Sequence, residues 1–505
     1  MASSKKYDVI IIGSGLGGLL CANLLAMRGM RVCLLEKNKQ FGGNLQTFSR
    51  DKKIFDTGVH YIGGLEKGQT LHQVFKYVGL MEQLKLEKME ECFDRILIEG
   101  DLQVYAQAQG YEAFQNKLFD AFPGDREGII AYCQKIKDVC NSFPLYNLTL
   151  KPQTAELYKG NNESAASVIA SFTQNKKLQG VLAGNNLLYA GDINTTPFHV
   201  HALIVNSYIE SSWKCIGGGS QIAKILVASI RKNGGEILRN TAVTSIKEEG
   251  GKITHVLTEA GQKVEGEYFI SNIHPAATLA ITQSALLKGL YKKRIAGLKQ
   301  SASSFSLHIV LEKKTVPYEN CNYYFHKEGQ VWQLNHYTKE NWPLGYGLYF
   351  TEDKQHPGYT ATVSVLTPMR YEEVGEWADT CNRVGRESNR GIAYEQFKED
   401  RARVLLDLIA ERFPLIIKHF KSYYTSTPLT NRDYIGDAEG SMYGIQKDYH
   451  DPLQTMISPR TKIPNLFLTG QNLNLHGILG TSLSAVLTCV MLTGDEGLVD
   501  RIREA

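Results

Sequence analysis

Four segments follow one another at the N-terminus: a β-branched run, YDVIII, a glycine turn, GSGLGG, an apolar helix pattern, LLCANLLAMRG, and a short run, MRVCLLE. No other feature of the chain restricts its fold as much. The first run suits a central parallel strand buried on both faces. Gly13, Gly15 and Gly18 follow it in G-x-G-x-x-G spacing. Gly13 permits the tight turn, Gly15 lets a pyrophosphate approach the backbone, and Gly18 lets helix and strand pack closely. The helix LLCANLLAMRG opens after Gly18, so its free amides and positive dipole end face the phosphates, and Leu16 within the turn is expected among the contacts. The second strand ends at Glu36, where a carboxylate can accept both ribose hydroxyls, with Lys37 beside it. A secretory signal, suggested by Lys5 and Lys6 before an apolar run, leaves the glycine pattern and the second strand unexplained. The pattern predicts an α/β, Rossmann-like dinucleotide site.

Two further glycine segments say which dinucleotide. Gly42 and Gly43 follow the acid, and KIPNLFLTGQN reads as an apolar strand ending at Gly470. In FAD-binding proteins of the two-dinucleotide fold, a similar pair lines the inner pyrophosphate and ribityl region, usually with Arg next. Here Asn44 follows. The same resemblance places an acid after the third glycine, whereas this chain has Gln471, which still hydrogen-bonds a neutral hydroxyl. A helix is expected to open near Gly480 and Thr481, with Ile478 and His476 just before it. SQIAKILVASIRKNGG predicts another helix, after which Val243 corresponds to the residue that meets adenine through its backbone. The expected FAD domain is discontinuous, built from 1–75, 213–290 and 455–505. Residues 76–212 and 291–454 are left for an α+β substrate domain on a mixed or antiparallel sheet.

FDTGVHYIGG, YFISNIHP, TPLTNRDYIGDAEGSMYGI and IPNLFLTGQNLNLHGILGTSLSA together resemble the retinol saturase branch of the phytoene desaturase and carotenoid isomerase flavoproteins. The resemblance runs from Tyr7 to about Gly494. It implies FAD and a hydrophobic polyene or isoprenoid lipid whose C=C bonds are saturated, desaturated or isomerised. It also sets DTGVHYIGG beside the flavin, with Gly58 and Gly63 allowing close backbone approach and His60 or Tyr61 facing the substrate. His476 is expected to tune the ring together with the helix after it. Two rivals remain: an amine-oxidase-like flavoenzyme, and a non-catalytic prenyl-lipid escort like the Rab GDP-dissociation inhibitors.

The remaining sequence mostly excludes. A formal charge of +4, with no long single-sign block, argues against nucleic acid as partner. Nine dispersed cysteines form no C-x-x-C pair, which predicts a reducing, cytoplasmic setting, no metal site and no internal relay of electrons. FAD is expected to be non-covalent, since no Cys or His occupies an attachment motif. NAD(P) is not expected at a dedicated site, which leaves the electron partner open. His199 and His201 lack acidic or cysteine partners and read as core residues. YEQFKEDRARVLLDLIAERFPLIIKHF (394–420) predicts an amphipathic helix, with 413–417 packed on the core in preference to a peripheral membrane contact. LYKKRIAGLK (290–299) reads as a solvated basic face, and 477–494 as a buried helix despite its near-spanning length. The aromatic-rich stretches 318–337 and 345–368 predict strands joined by turns, lining a tunnel or simply packing a sheet.

Overall fold

The computed structural model describes residues 6–150, 162–384 and 386–505. The expected substrate segment 76–212 therefore includes eleven positions, 151–161, outside the described residues.

The apolar N-terminal run becomes the strand Tyr7–Ile12, with Val9–Ile11 wholly buried. It pairs in parallel with Val32–Leu35 on one side and with Gly266–Ser271 on the other. Glu236–Leu238 extends the ladder beyond Val32–Leu35, and Leu466–Leu468 extends it beyond Phe269–Ser271. The strand Lys263–Ser271 has two lives. Its first residues, Lys263–Glu265, pair antiparallel with His255–Leu257, and the remainder joins the parallel ladder. Gly266 marks the change, because a β-carbon there would stand 2.7 Å from the Ile10 side chain. Helix Leu16–Met27 covers the ladder and packs against helix Gly477–Thr493.

The second sheet has seven strands in the order Phe420–Ser426, Ser303–Leu311, Thr360–Met369, Gly345–Glu352, Asn322–His326, Asp94–Ile98 and Tyr105–Gln107. All neighbours are antiparallel except Asn322–His326 with Asp94–Ile98. The sheet is mixed, and the α/β, Rossmann-like fold read from the sequence stands.

Four local expectations are corrected. Within the expected 318–337, residues 327–337 are a chain of turns, not strand. The long helix is Gly391–Arg412; it stops at Phe413 because Pro414 disfavours helical backbone in the residue before it and opens a separate helix, Pro414–Lys418. Phe420 already belongs to a strand. The C-terminal helix begins at Gly477, three positions before Gly480. The boundary expected between 212 and 213 falls inside strand Ser212–Cys215, which pairs with Ile62–Gly63 and Leu86–Lys88.

Of the 413–417 stripe, Ile416 is buried and Phe413 meets the Tyr323 ring edge-on at 4.9 Å. The near-spanning segment is interior, with Gly480–Val490 buried throughout. No helix among the described residues is long and apolar enough to cross a membrane.

Candidate active site

The glycine segments meet because two loops lie backbone on backbone. Gly42 N donates to Ser14 O at 3.1 Å and to Ser14 Oγ at 3.2 Å. Gly13 and Gly42 take φ of +94° and +117°, which L side chains rarely adopt, and a β-carbon on Gly43 would stand 3.1 Å from Gly15 Cα. One cavity is lined by these loops and by the starts of helices Leu16–Met27 and Gly477–Thr493. Neither helix has a side-chain cap or an acid in its first turn. Two uncapped positive helix ends facing one cavity, beside a glycine cradle, suit a pyrophosphate and the electron-rich end of a reduced ring. The residues present fit FAD.

Glu36 is buried with its carboxylate fixed by the chain: Oε2 accepts from Ser14 N at 2.9 Å and Ser14 Oγ at 2.5 Å, and Oε1 from Asn38 N at 2.7 Å. The remaining lone pairs are free for ribose hydroxyls. Lys37 donates to Asp433 O at 3.2 Å, and burial, then Arg383, lower its pKa.

Of the residues expected at the site, Gly13, Gly15, Leu16, Glu36, Lys37, Gly42, Gly43, Asn44, Gly58, His60, Tyr61, Val243, Gln471 and Ile478 all line this cavity. Gly18 and Gly470 stand behind the wall. A β-carbon at Gly18 would strike Gly13 O at 2.1 Å, and one at Gly470 would lie 2.6 Å from Asn272 Oδ1. Sequence reasoning missed Ser14 and Asn272. The first lay inside the glycine motif. Asn272 stands in YFISNIHP, a segment that carries the family resemblance without any residue singled out in it; it lines the cavity and fills the space beside Gly15 and Gly17.

His476 is not on the cavity wall. Its ring tilts against Tyr443 at 4.5 Å and borders a smaller pocket with Leu188, Ser207 and Tyr208. Burial, then the nearby Lys447 ammonium, push its pKa down to about 3. Lys447 itself has only carbonyl partners among those resolved, donating to Leu473 O at 2.8 Å and Thr455 O at 2.9 Å, and burial brings it down to about 7.

His60 lies flat on Tyr349, ring centres 4.2 Å apart and planes within 7°. Burial, then Lys214, push its pKa down to about 4, so near neutral pH it is an uncharged imidazole, not an acid. Tyr61 borders the cavity while its hydroxyl donates to Asp94 Oδ2 at 2.8 Å. Tyr208, Tyr349, Tyr443, Leu188 and Leu366 continue the same wall. His201 sits between the hydroxyls of Tyr132 and Tyr189, each at 2.8 Å, in the core. Among the described residues no group of three or more His, Cys, Asp or Glu is placed to hold a metal ion.

The family model described as flavin containing amine oxidoreductase matches residues 16–490. The human all-trans-retinol 13,14-reductase is 28% identical over 531 residues, covering 96% of this chain and 85% of its own. The chloroplastic prolycopene isomerase of Arabidopsis thaliana is 25% identical, covering 98% of this chain and 84% of its own. Among solved structures, cyclohexylamine oxidase from Brevibacterium oxydans superposes with a TM-score of 0.62 at 14% identity, covering 99% of both chains. At that identity the likeness speaks for the fold alone.

Proposed function

The chain belongs to the flavin-containing amine oxidoreductase family, and from that premise we propose an FAD-dependent oxidoreductase acting on C=C bonds of a hydrophobic polyene. One observation carries the reading: the glycine cradle, Glu36 and two uncapped helix ends share a single cavity with an apolar and phenolic wall of Leu188, Leu366, Tyr208, Tyr349 and Tyr443. Such a wall suits a long conjugated lipid, and the relatives named above are polyene enzymes by name. The amine-oxidase reading has the family model and the fold in its favour, the fold at only 14% identity. Net reduction is the direction we favour, from the similarity to retinol reductases.

FAD, when bound, supplies hydride exchange with carbon. Gly13–Leu16 and Gly42–Asn44 would hold the pyrophosphate, Glu36 and Lys37 the adenosine ribose, Val243 the adenine, and Gln471 and Ile478 the ribityl chain and ring. Gly58 lets the backbone pass close to the ring. Neutral His60, stacked on Tyr349, orients substrate and excludes water without giving up a proton. Binding is read as non-covalent. No dedicated NAD(P) domain is part of this reading; for net reduction a separate reduced protein or a quinol would supply the electrons, whereas a quinone or oxygen would accept them only in the opposite direction, in a cytoplasmic setting with membrane contact at most peripheral.

The test starts from the purified protein. It should be yellow, and denaturation should release the colour into the supernatant. Anaerobic mixing of the reduced enzyme with retinoids and carotenoids should give a product heavier by one H2. A colourless protein would point to the escort instead, and turnover of amines alone would sink the polyene substrate.

A further inference from the structure

Asp94 is a carboxyl without solvent exposure, at the first position of strand Asp94–Ile98. Sheet register places it opposite Asn322, which stands opposite Tyr349 on the next strand. Tyr324 follows two positions after Asn322, on the same face. The result is a line of oxygens. Tyr61 Oη donates to Asp94 Oδ2 at 2.8 Å and lies 2.7 Å from Tyr324 Oη; Tyr349 Oη donates to Tyr324 Oη at 3.4 Å. Tyr61 and Tyr349 border the cavity, so the line runs from a sealed carboxyl to the substrate wall.

A structural role alone does not require an acid here. A buried carboxyl is costly, and a core that needs only hydrogen bonds is served by an amide. Asn322 Nδ2 donates to Asp94 Oδ1 at 2.9 Å and Asn185 Nδ2 to Oδ2 at 3.4 Å. The carbonyl oxygens of both amides are buried without a hydrogen-bond partner, so either amide, turned over, can accept from a protonated Asp94. The groups facing Asp94 are Tyr61 from its loop, Tyr208 from helix Phe198–Glu210, Tyr324 and Tyr349 from the sheet, and one cation, Lys214, on strand Ser212–Cys215. Lys214 Nζ donates to Phe350 O at 3.3 Å and makes no ion pair with Asp94 among the resolved salt bridges. Burial pushes Asp94 up to about 7, against the lowering by Asn322, Tyr61, Asn185 and Lys214, so both of its forms are populated near neutral pH.

We propose that Asp94, Tyr61, Tyr324 and Tyr349 form a proton relay, with Asp94 as the store and Tyr349 as the catalytic acid that protonates a polyene carbon. The proposal rests on the reductase reading above. Asp94 gives its proton to Tyr61, Tyr61 to Tyr324, Tyr324 to Tyr349, and Tyr349 to one carbon of the double bond. The neighbouring carbon would take a hydride, which reduced FAD would supply. One π pair is consumed, two C–H bonds form, and Asp94 is left as carboxylate until water in the emptied cavity returns a proton along the same line, through Tyr349. The donor directions in the structure, Tyr349 toward Tyr324 and Tyr61 toward Asp94, are those of the relay after delivery.

The store is tested without substrate. Infrared difference spectra of the FAD-loaded enzyme should show a protonated-carboxyl C=O band that disappears with a midpoint near pH 7. Asp56 is raised to the same range, so the band should have two components, of which Asp94→Asn removes one, Asp56→Asn the other, and Tyr61→Phe displaces only the first. No such band, or one that Asp94→Asn leaves unchanged, overturns the relay whatever the substrate is. Tyr324→Phe then breaks the line at its middle, away from the cavity wall, and keeps the ring. With all-trans-retinol as probe in anaerobic single turnovers, its rate should fall roughly a hundredfold, as expected for a lost general acid. The wild-type rate should decline as pH rises through about 7, since the donor must hold its proton, and this inflection should vanish in the variant. Unchanged rate and pH profile in both Tyr324→Phe and Tyr349→Phe, at wild-type FAD content, overturn the relay. A wild type whose reduced flavin no polyene reoxidises refutes the substrate reading instead, and the infrared band then decides the relay.

Discussion

Asn272 explains why glycine recurs around the dinucleotide cradle. A β-carbon on Gly15, Gly17 or Gly470 would come within 2.6–2.8 Å of its amide, and one on Gly18 within 3.3 Å of its side chain. Gly15→Asp therefore meets two obstacles, a clash with Asn272 and a negative charge at the pyrophosphate. It should purify with less than about a tenth of the wild-type flavin by absorbance, a loss on the scale of a misplaced unit charge. Wild-type flavin content would refute the placement of the pyrophosphate. His476 leads to a different expectation. A neutral ring facing a side pocket and packed on Tyr443 supports the turn, not the flavin's charge. His476→Ala should cost on the order of 2 kcal/mol of stability through a lost aromatic contact and a small cavity, with the flavin potential unchanged. A shifted potential by spectroelectrochemistry would restore the tuning role.

Among the elements, the GGGSQIA stretch invites a second nucleotide reading and does not support one. The helix it opens, Ser220–Lys232, follows strand Ser212–Cys215, which belongs to a small antiparallel sheet and not to a parallel ladder. Mixing oxidised enzyme anaerobically with micromolar NADPH should leave the flavin coloured for seconds, while dithionite bleaches it rapidly. Saturable bleaching by NADPH would contradict this. The glycine-opened strand–helix unit was legible in the sequence because each of its parts is local. The side pocket of His476 was not, because residues on a helix turn about 100° per position. Gly477, Ile478 and Thr481 face the cavity; which residue joins them depends on where the helix starts, and two glycines offered two starts. Gly480 is the wrong one, since it already packs on Leu475, whose Cβ would lie 2.5 Å from a β-carbon there. The aromatic stretch 327–337 misled for another reason: its composition favours strands, but Gly329 with φ of +68° turns the chain just after strand Asn322–His326. Asp94, Tyr61, Tyr324 and Tyr349 lie far apart in the chain, and only sheet register brings them into line.

For the whole molecule, acid is the weak direction. Four buried histidines, His201, His308, His326 and His476, and the half-buried His60 are held neutral with pKa values of about 3 to 4, against an ordinary 6.5. The unfolded chain binds protons at these rings that the folded chain refuses, so their stability is present above pH 6.5 and lost as pH falls toward 4. Asp56 and Asp94, raised to about 7, oppose this over part of the range, because their stabilisation is lost as pH rises toward 7. The melting temperature should drop by roughly 10 °C between pH 6.5 and pH 4. A flat calorimetric profile would show that the rings are hydrated and charged in the native state. The double-natured strand Lys263–Ser271 bears on how the molecule is made. Tyr7–Ile12 leaves the ribosome long before its neighbour on one side, which is that strand, and Leu466–Leu468 closes the ladder beyond it. At roughly 5–20 residues per second, the nascent first strand waits on the order of ten seconds or more for one partner and a comparable time for the next. Through that interval it exposes an unpaired apolar edge, a target for chaperones and for aggregation. The cofactor cradle also needs Gln471 and Thr481, so flavin uptake comes only after residue 481 has been made and the ladder has closed.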